Sequence, residues 1–179
     1  MNAIEQLLAD HKVIMSKVAD LRNAVADLSV RGDAALPDVL PVLGRIGRMM
    51  ETELALHAKK EDEGLFPALE GIFGEHDGPT HVMRIEHKEI HGQGELLRQT
   101  LHELHDIEHP QIEAGKDKLK EMAAKGGDAA LIQANAEEII RLLDMHFGKE
   151  EQILFPMALN LLDDSVLKEV GRKIETMTL

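Results

Sequence analysis

Six side chains stand out for what they could bind. His57 and Glu61 lie four residues apart, and so do His146 and Glu150. Each pair runs on, at the same distance, into Leu65-Phe66-Pro67 or Leu154-Phe155-Pro156. A single histidine precedes each pair, in two similar strings: Leu7-x-x-Asp10-His11-Lys12-x-Ile14 and Met83-x-x-Glu86-His87-Lys88-x-Ile90. The order is His, His-x-x-x-Glu, His, His-x-x-x-Glu, one unit used twice. Imidazole and carboxylate without thiolate are ligands for iron, manganese or zinc. Four histidines and two glutamates are too many for one tetrahedral zinc. They suit two ions, each taking imidazoles from one half, with both carboxylates bridging and positions left open for solvent or a small ligand.

Those side chains need elements that aim them at one point. Apolar residues recur at helical spacing along four long segments. The first runs from about Asn2 to Ser29 and carries Ile4, Leu7, Leu8, Ile14, Val18, Leu21, Val25 and Leu28. Arg31-Gly32-Asp33 breaks it. The second starts near Pro37, carries Val39, Leu43, Ile46, Met50 and Leu54, and fades between Gly71 and Gly78. The third opens at Pro79-Thr80 and ends at His109-Pro110, since proline disfavours helix in the residue before it. A short inserted helix, about Gln111 to Ala124, and Gly126-Gly127 lead to the fourth, with Asp128 as its N-cap. A last helix spans about Ser165 to Met177. No run alternates with a strand's period. The expected fold is all-α: an up-down antiparallel four-helix bundle, in one domain over 1–179, with a core of about 2–162 and an appended helix in 163–179.

Helical spacing puts the chemistry inside that bundle. His11 continues the stripe Ile4, Leu7, Ile14, Val18, and His57 with Glu61 continues Leu43, Met50, Leu54. His87 lies at the edge of Met83, Ile90, Leu97, and His146 with Glu150 falls between Leu143 and Leu154. Residues four apart share one face. A lone core histidine is more often hydrogen-bonded than metal-bound, and one His-x-x-x-Glu can be a solvated pair. Two buried glutamates at matched positions are different, because an unpaired buried carboxylate costs several kcal/mol or more. Bound cations would offset that cost.

Composition removes other functions. With 33 Asp+Glu against 20 Lys+Arg the net charge is −13, wrong for a nucleic-acid backbone or an anionic membrane surface. The absence of cysteine excludes disulfides, thiolate nucleophiles and iron–sulfur ligation. The start MNAIEQLLADHK lacks a signal peptide's basic and apolar regions, no apolar run reaches the roughly 20 residues of a membrane span, and a cytoplasmic location is expected. The four aromatics are all Phe, so the usual radical-storing side chains, Tyr and Trp, are missing. No Gly-rich phosphate loop or nucleophile triad occurs, and no catalytic residue is assigned.

The arrangement of His11, His57, Glu61, His87, His146 and Glu150, with Leu-Phe-Pro after each His-x-x-x-Glu, resembles the hemerythrin-like proteins of the HHE cation-binding family, over about residues 5–160. The resemblance implies a non-haem di-iron centre, carboxylate-bridged and oxo- or hydroxo-bridged. His11 and His57 would bind one iron, His87 and His146 the other, and Glu61 and Glu150 would bridge. Manganese or zinc is the lesser option. Oxygen carriers of the family have a further histidine four residues after the third-helix one, which makes His91 a seventh candidate ligand. They also place an Asp five residues after the fourth-helix histidine. Here Glu150 stands four residues on, as in hemerythrin-like and iron–sulfur-repair proteins, which counts against simple oxygen carriage.

Three functions follow as expectations. The first is binding of O2, NO or peroxide at an open iron position, as sensor, store or scavenger. The second is iron donation, cluster repair or peroxide decomposition. The third is a structural or zinc-binding bundle. His102, His105 and His109 share a flank and are read as a solvated or interhelical surface rather than a second metal patch. His81 lies on another face than His87, and His76 in a Gly-rich turn. Glu53, one turn before His57, is either a partner for a ligand imidazole or a solvated edge residue. Met49, Met50, Met83 and Met157 are read as core.

Overall fold

The computed structural model describes residues 1–74, 78–108 and 128–179, with the side chains of all but 103–108 and 128. The expected inserted helix, the Gly126-Gly127 break, His76, His109 and the side chain of His105 lie outside what is described.

The first arm is α1 (Ala3–Arg31). Asn2 caps it: the Glu5 N–H donates to Asn2 Oδ1 at 2.9 Å, and the Asn2 N–H donates to Glu5 Oε2 at 2.8 Å. These two bonds satisfy donors that a helix start leaves open. The arm stops at Gly32, whose φ of 55° suits a residue without Cβ. A 3₁₀ turn (Gly32–Ala35) leads into the second arm.

The sequence predicts the second arm as a single run; it is one rod interrupted by two π turns. α2 (Leu36–Met49) passes through a π turn (Met50–Leu54) to α3 (Ala55–Lys60), then a second π turn (Glu61–Leu65) to α4 (Phe66–Phe73). It ends at Gly74, with φ 87°. The third arm is α5 (Pro79–Glu108). The fourth is α6 (Asp128–Lys149), a π turn (Glu150–Leu154) and α7 (Phe155–Leu161), followed by α8 (Asp164–Glu175).

The π turns at Glu61 and Glu150 have a cause in the sequence. Proline in a helix lacks an N–H, and its ring collides with the carbonyl four residues back. Pro67 and Pro156 each follow a π turn by two residues, and the wider turn relieves that collision. The Phe66 N–H reaches the Glu61 carbonyl, five residues back, and the Phe155 N–H reaches that of Glu150. The carbonyls so released in the second arm find other donors. Arg84 Nη2 donates to the Asp62 oxygen at 2.9 Å, and Lys173 Nζ donates to the Glu63 oxygen. At the Met50–Leu54 turn, Thr52 Oγ1 donates to the Arg48 carbonyl at 2.7 Å, which inserts a side chain into the backbone ladder.

α1 packs on α2 and α6, and α5 packs on α6 and α2, so consecutive arms are neighbours in a four-cornered bundle. The interior holds two apolar cores. One contains Ile14, Leu43, Ile46, Leu97, Ile132 and Leu143. The other contains Leu7, Leu65, Phe66, Met83, Leu154 and Phe155, joined by Val170 and Ile174 of α8. The last helix therefore closes a core as well as following the bundle. Met49 and Met50 lie in the first core and Met83 in the second, with Met157 packed against it. Buried polar residues punctuate the apolar interior: His11, His57, Glu61, His146 and Glu150 come from the same arms as both cores. Among the described residues no helix is long and apolar enough to cross a membrane.

Leu43 is fully buried in the first core, which contains none of the polar set. Leu43→Ala is expected to cost about 2–5 kcal/mol in chemical denaturation. Metal content should stay that of the parent; a loss of metal would mean that the cores and the polar layer are not separable.

Candidate metal centre

The four imidazoles converge through one ring nitrogen each. His11 Nε2 stands 3.0 Å from Glu150 Oε2 and 3.2 Å from His57 Nε2. His146 Nε2 stands 2.8 Å from Glu150 Oε1, and His87 Nε2 3.2 Å from Glu61 Oε2. Glu61 Oε2 is also 3.6 Å from His57 Nε2. These atoms form two sets, His11–His57–Glu150 and Glu61–His87–His146–Glu150, each with its ligand atoms within 4.8 Å of one another. Glu150 belongs to both, one oxygen turned to each set. Of the adjacent Glu150 and Glu151, the first is fully buried and the second exposed.

The other ring nitrogen of each histidine faces outward to a second carboxylate. His11 Nδ1 is 2.8 Å from Glu151 Oε1, His87 Nδ1 3.1 Å from Asp62 Oδ1, and His146 Nδ1 3.0 Å from Glu86 Oε2. His57 Nδ1 is 3.6 Å from Asp10 Oδ2, an ion-pair separation longer than a hydrogen bond. An ionised carboxylate only accepts, so in the three bonded cases Nδ1 carries a hydrogen, and Nε2 is the nitrogen that turns a lone pair inward when the ring is neutral. The carboxylates are themselves steadied: Lys60 Nζ donates to Asp10 at 2.7 Å, Lys149 donates to Glu86, and Arg84 pairs with Asp62 at 3.1 Å.

This outer ring is the part that sequence reasoning missed. The residue before each single histidine, Asp10 or Glu86, faces the histidine of a neighbouring His-x-x-x-Glu. The residue after each glutamate, Asp62 or Glu151, holds a single histidine of the other half. Both were visible in the repeat, as Asp10-His11 beside Glu86-His87 and Lys60-Glu61-Asp62 beside Lys149-Glu150-Glu151. The Leu-Phe-Pro repeat also acquires a role. Phe66 stacks on His87 with centroids 5.7 Å apart, and Phe155 on His11 at 5.4 Å. Phe147 stacks closer on His11, at 4.0 Å.

The geometry suits cations. Both oxygens of Glu61 and of Glu150, with His87 Nε2 and His146 Nε2, are buried without a hydrogen-bond partner. Two ligand atoms about 2.1 Å from one ion and at right angles stand about 3.0 Å apart, which is the spacing found here. Inward lone pairs at that spacing repel one another unless a cation lies between them.

The remaining expected residues sit elsewhere. His91 is exposed, outside both sets, and lines a cavity beside His87. Glu53 pairs with Lys17 and Thr52 rather than with an imidazole, and the Lys17 contact takes its carboxyl down to about 2. His81 and His102 are exposed.

Protonation follows from the same contacts. Burial alone would pull the His57 pKa down, but Glu61, Asp10 and Glu150 outweigh it and raise it to about 10. For His87, burial is outweighed by Asp62 and Glu61, and the value rises to about 9. Glu61 is raised by burial and by the charge of Glu150. Burial would also raise Glu150, but the neighbouring imidazoles of His11, His146 and His57 hold it well below the usual carboxylate range.

Without a cation, His57 and His87 are therefore protonated at neutral pH, and an incoming ion must displace those protons. Both values are raised, so the competing protons leave as pH rises, and metal affinity should climb between about pH 6 and pH 9. Calorimetry in buffers of different ionisation enthalpy should record proton release at pH 7; binding without release would contradict the assignment. Glu86→Gln should weaken metal binding about 10–100-fold in a chelator competition, with helicity unchanged, because His146 loses the charged acceptor that orients it.

Known proteins place the chain in a group. The profile of the hemerythrin HHE cation-binding domain matches residues 2–126. It stops short of His146 and Glu150, which the fold nonetheless brings to His11, His57, Glu61 and His87. Proteins from Escherichia coli O157:H7, E. coli O139:H28 and Shigella boydii serotype 18, each named iron-sulfur cluster repair protein YtfE, are 32% identical over 130 residues. The aligned part is 72% of this chain and 52% of each relative, so the chain spans about half their length. With well over half of its residues inside the profile, this chain belongs to the hemerythrin HHE cation-binding domain family.

Proposed function

We propose that the centre holds two iron ions bridged by Glu61 and Glu150, and that it binds a small ligand, O2, NO or peroxide, as a sensor, store or scavenger. The observation that carries this reading is a cavity of about 570 Å³ lined by His57, His87 and His146 together with Met50, Leu54 and Ile90. It gives a small molecule a route to the imidazoles. Phe147 and His11, stacked on each other, do not line it. His91 lines the same cavity and is the histidine placed to meet an incoming ligand.

Iron bound here would supply ligand binding and electron exchange. The chain's own part is to hold it with four neutral imidazoles against two carboxylates, which limits negative charge and favours binding over strong oxidation. The outer carboxylates keep Nδ1 protonated and Nε2 directed inward. Phe66, Phe147 and Phe155 keep water from the ring faces they cover.

Reconstitution with ferrous iron under anaerobic conditions should give about two irons per chain. Azide or NO should then change the absorption spectrum, and His146→Ala should lower iron content and abolish that change. A loaded centre indifferent to both ligands would sink the proposal.

The relatives' names favour a second reading, in which the centre gives up iron for cluster repair. Transfer of iron to a cluster-free acceptor protein, faster than to buffer chelator alone, would support it over ligand binding.

A further inference from the structure

The π turn Glu61–Leu65 presents two groups to the centre: Glu61 itself and Asp62, which holds His87. It is pinned from outside by the last helix. Gly64, on this turn, is buried, and a Cβ added there would lie 2.3 Å from Ile174 Cγ2. Ile174 is itself fully buried. Lys173 Nζ donates to the Glu63 carbonyl, and Lys59 Nζ donates to the Thr178 carbonyl at 2.8 Å. The far side of α8 is anchored on the start of α1: Gln6 Nε2 donates to the Gly171 carbonyl at 2.9 Å, and the backbones of Met1, Asn2 and Ala3 pass close to Gly171.

Among the described residues, the other half of the repeat has no such pin. By the spacing of the repeat, Gly64 corresponds to Ile153 and Gln6 to Val82. Ile153 is 58% exposed and Val82 46%, whereas Gln6 is only 8% exposed beneath α8. Glycine at 64 is therefore tied to Ile174, not to the π turn, since the equivalent turn accepts isoleucine.

We infer that Ile174 and Lys173 are positioning residues for the metal centre: α8 fixes the Glu61–Leu65 turn and with it the aim of Glu61 and the Asp62–His87 pair. The inference rests on the metal-holding reading given above. It gives the C-terminal helix a role in metal retention that its distance in sequence from Glu61 and His87 does not suggest.

The test compares the iron-loaded parent chain with Gly64→Ala, Lys173→Ala, Gly64→Ala/Ile174→Ala and Ile153→Ala. It reads iron per chain, the charge-transfer spectrum and the rate of iron release to a chelator, beside circular dichroism. Gly64→Ala should displace Ile174 and speed release of iron about tenfold, the lower end of what outer-contact changes cost metal sites. Lys173→Ala, at an exposed position, should shift release in the same direction by less. Removing the Ile174 side chain as well takes the pin away rather than restoring it, so the double variant should release iron at least as fast as Gly64→Ala and keep a shifted charge-transfer spectrum while its helical circular dichroism matches the parent's. Ile153→Ala should match the parent. If Gly64→Ala does not fold, Lys173→Ala decides. Parent-like loading and release in Gly64→Ala and Lys173→Ala would overturn the inference while leaving the metal reading intact. A parent chain that takes up no metal would overturn both.

Discussion

Two glutamates with no solvent exposure, facing four imidazoles inside a helical bundle, set the terms for the rest of this molecule. Neither carboxylate is satisfied by hydrogen bonds, and a buried charge without compensation costs several kcal/mol. The fold accepts that cost where cations can offset it, and the rest of the interior is built around the polar residues. Two apolar cores supply the folding energy that this set of residues does not, and α8 adds to one of them.

Orientation is divided between the two halves of the repeat. Each single histidine is held by a carboxylate adjacent in sequence to the other half's glutamate: His11 by Glu151 and His87 by Asp62. Each half consequently depends on the other for the direction of its lone pairs, and neither hairpin carries a complete site. Prolines 67 and 156 contribute through the backbone. By forcing a wide turn just after each glutamate, they set the carbonyls and side chains of Glu61 and Glu150 at a pitch that a regular α-helix would not give.

The two halves of the repeat differ in what covers them. The cavity lies on the side of His57, His87 and His146, while His11 is covered by Phe147 and Phe155. The Glu61 turn is covered by α8, and the Glu150 turn leaves Ile153 exposed. The chain shares about a third of its aligned residues with longer proteins named for iron-sulfur cluster repair, and the aligned part is 72% of this chain but 52% of each of them.

Much of this was legible in the sequence. Helical periodicity fixed the four arms, and the doubled His and His-x-x-x-Glu pattern named His11, His57, Glu61, His87, His146 and Glu150 as one convergent set, because ligand types and helix faces are local properties. Tertiary structure decided what depends on contacts between arms. It paired Glu53 with Lys17, left His91 on a cavity wall outside the two sets, and assigned Asp10, Asp62, Glu86 and Glu151 to the outer nitrogens. It also joined Ile174 to Gly64, 110 residues away. Period alone cannot supply these choices: a helix face is about 100° wide, and which residue on it meets a partner depends on where the neighbouring helix lies.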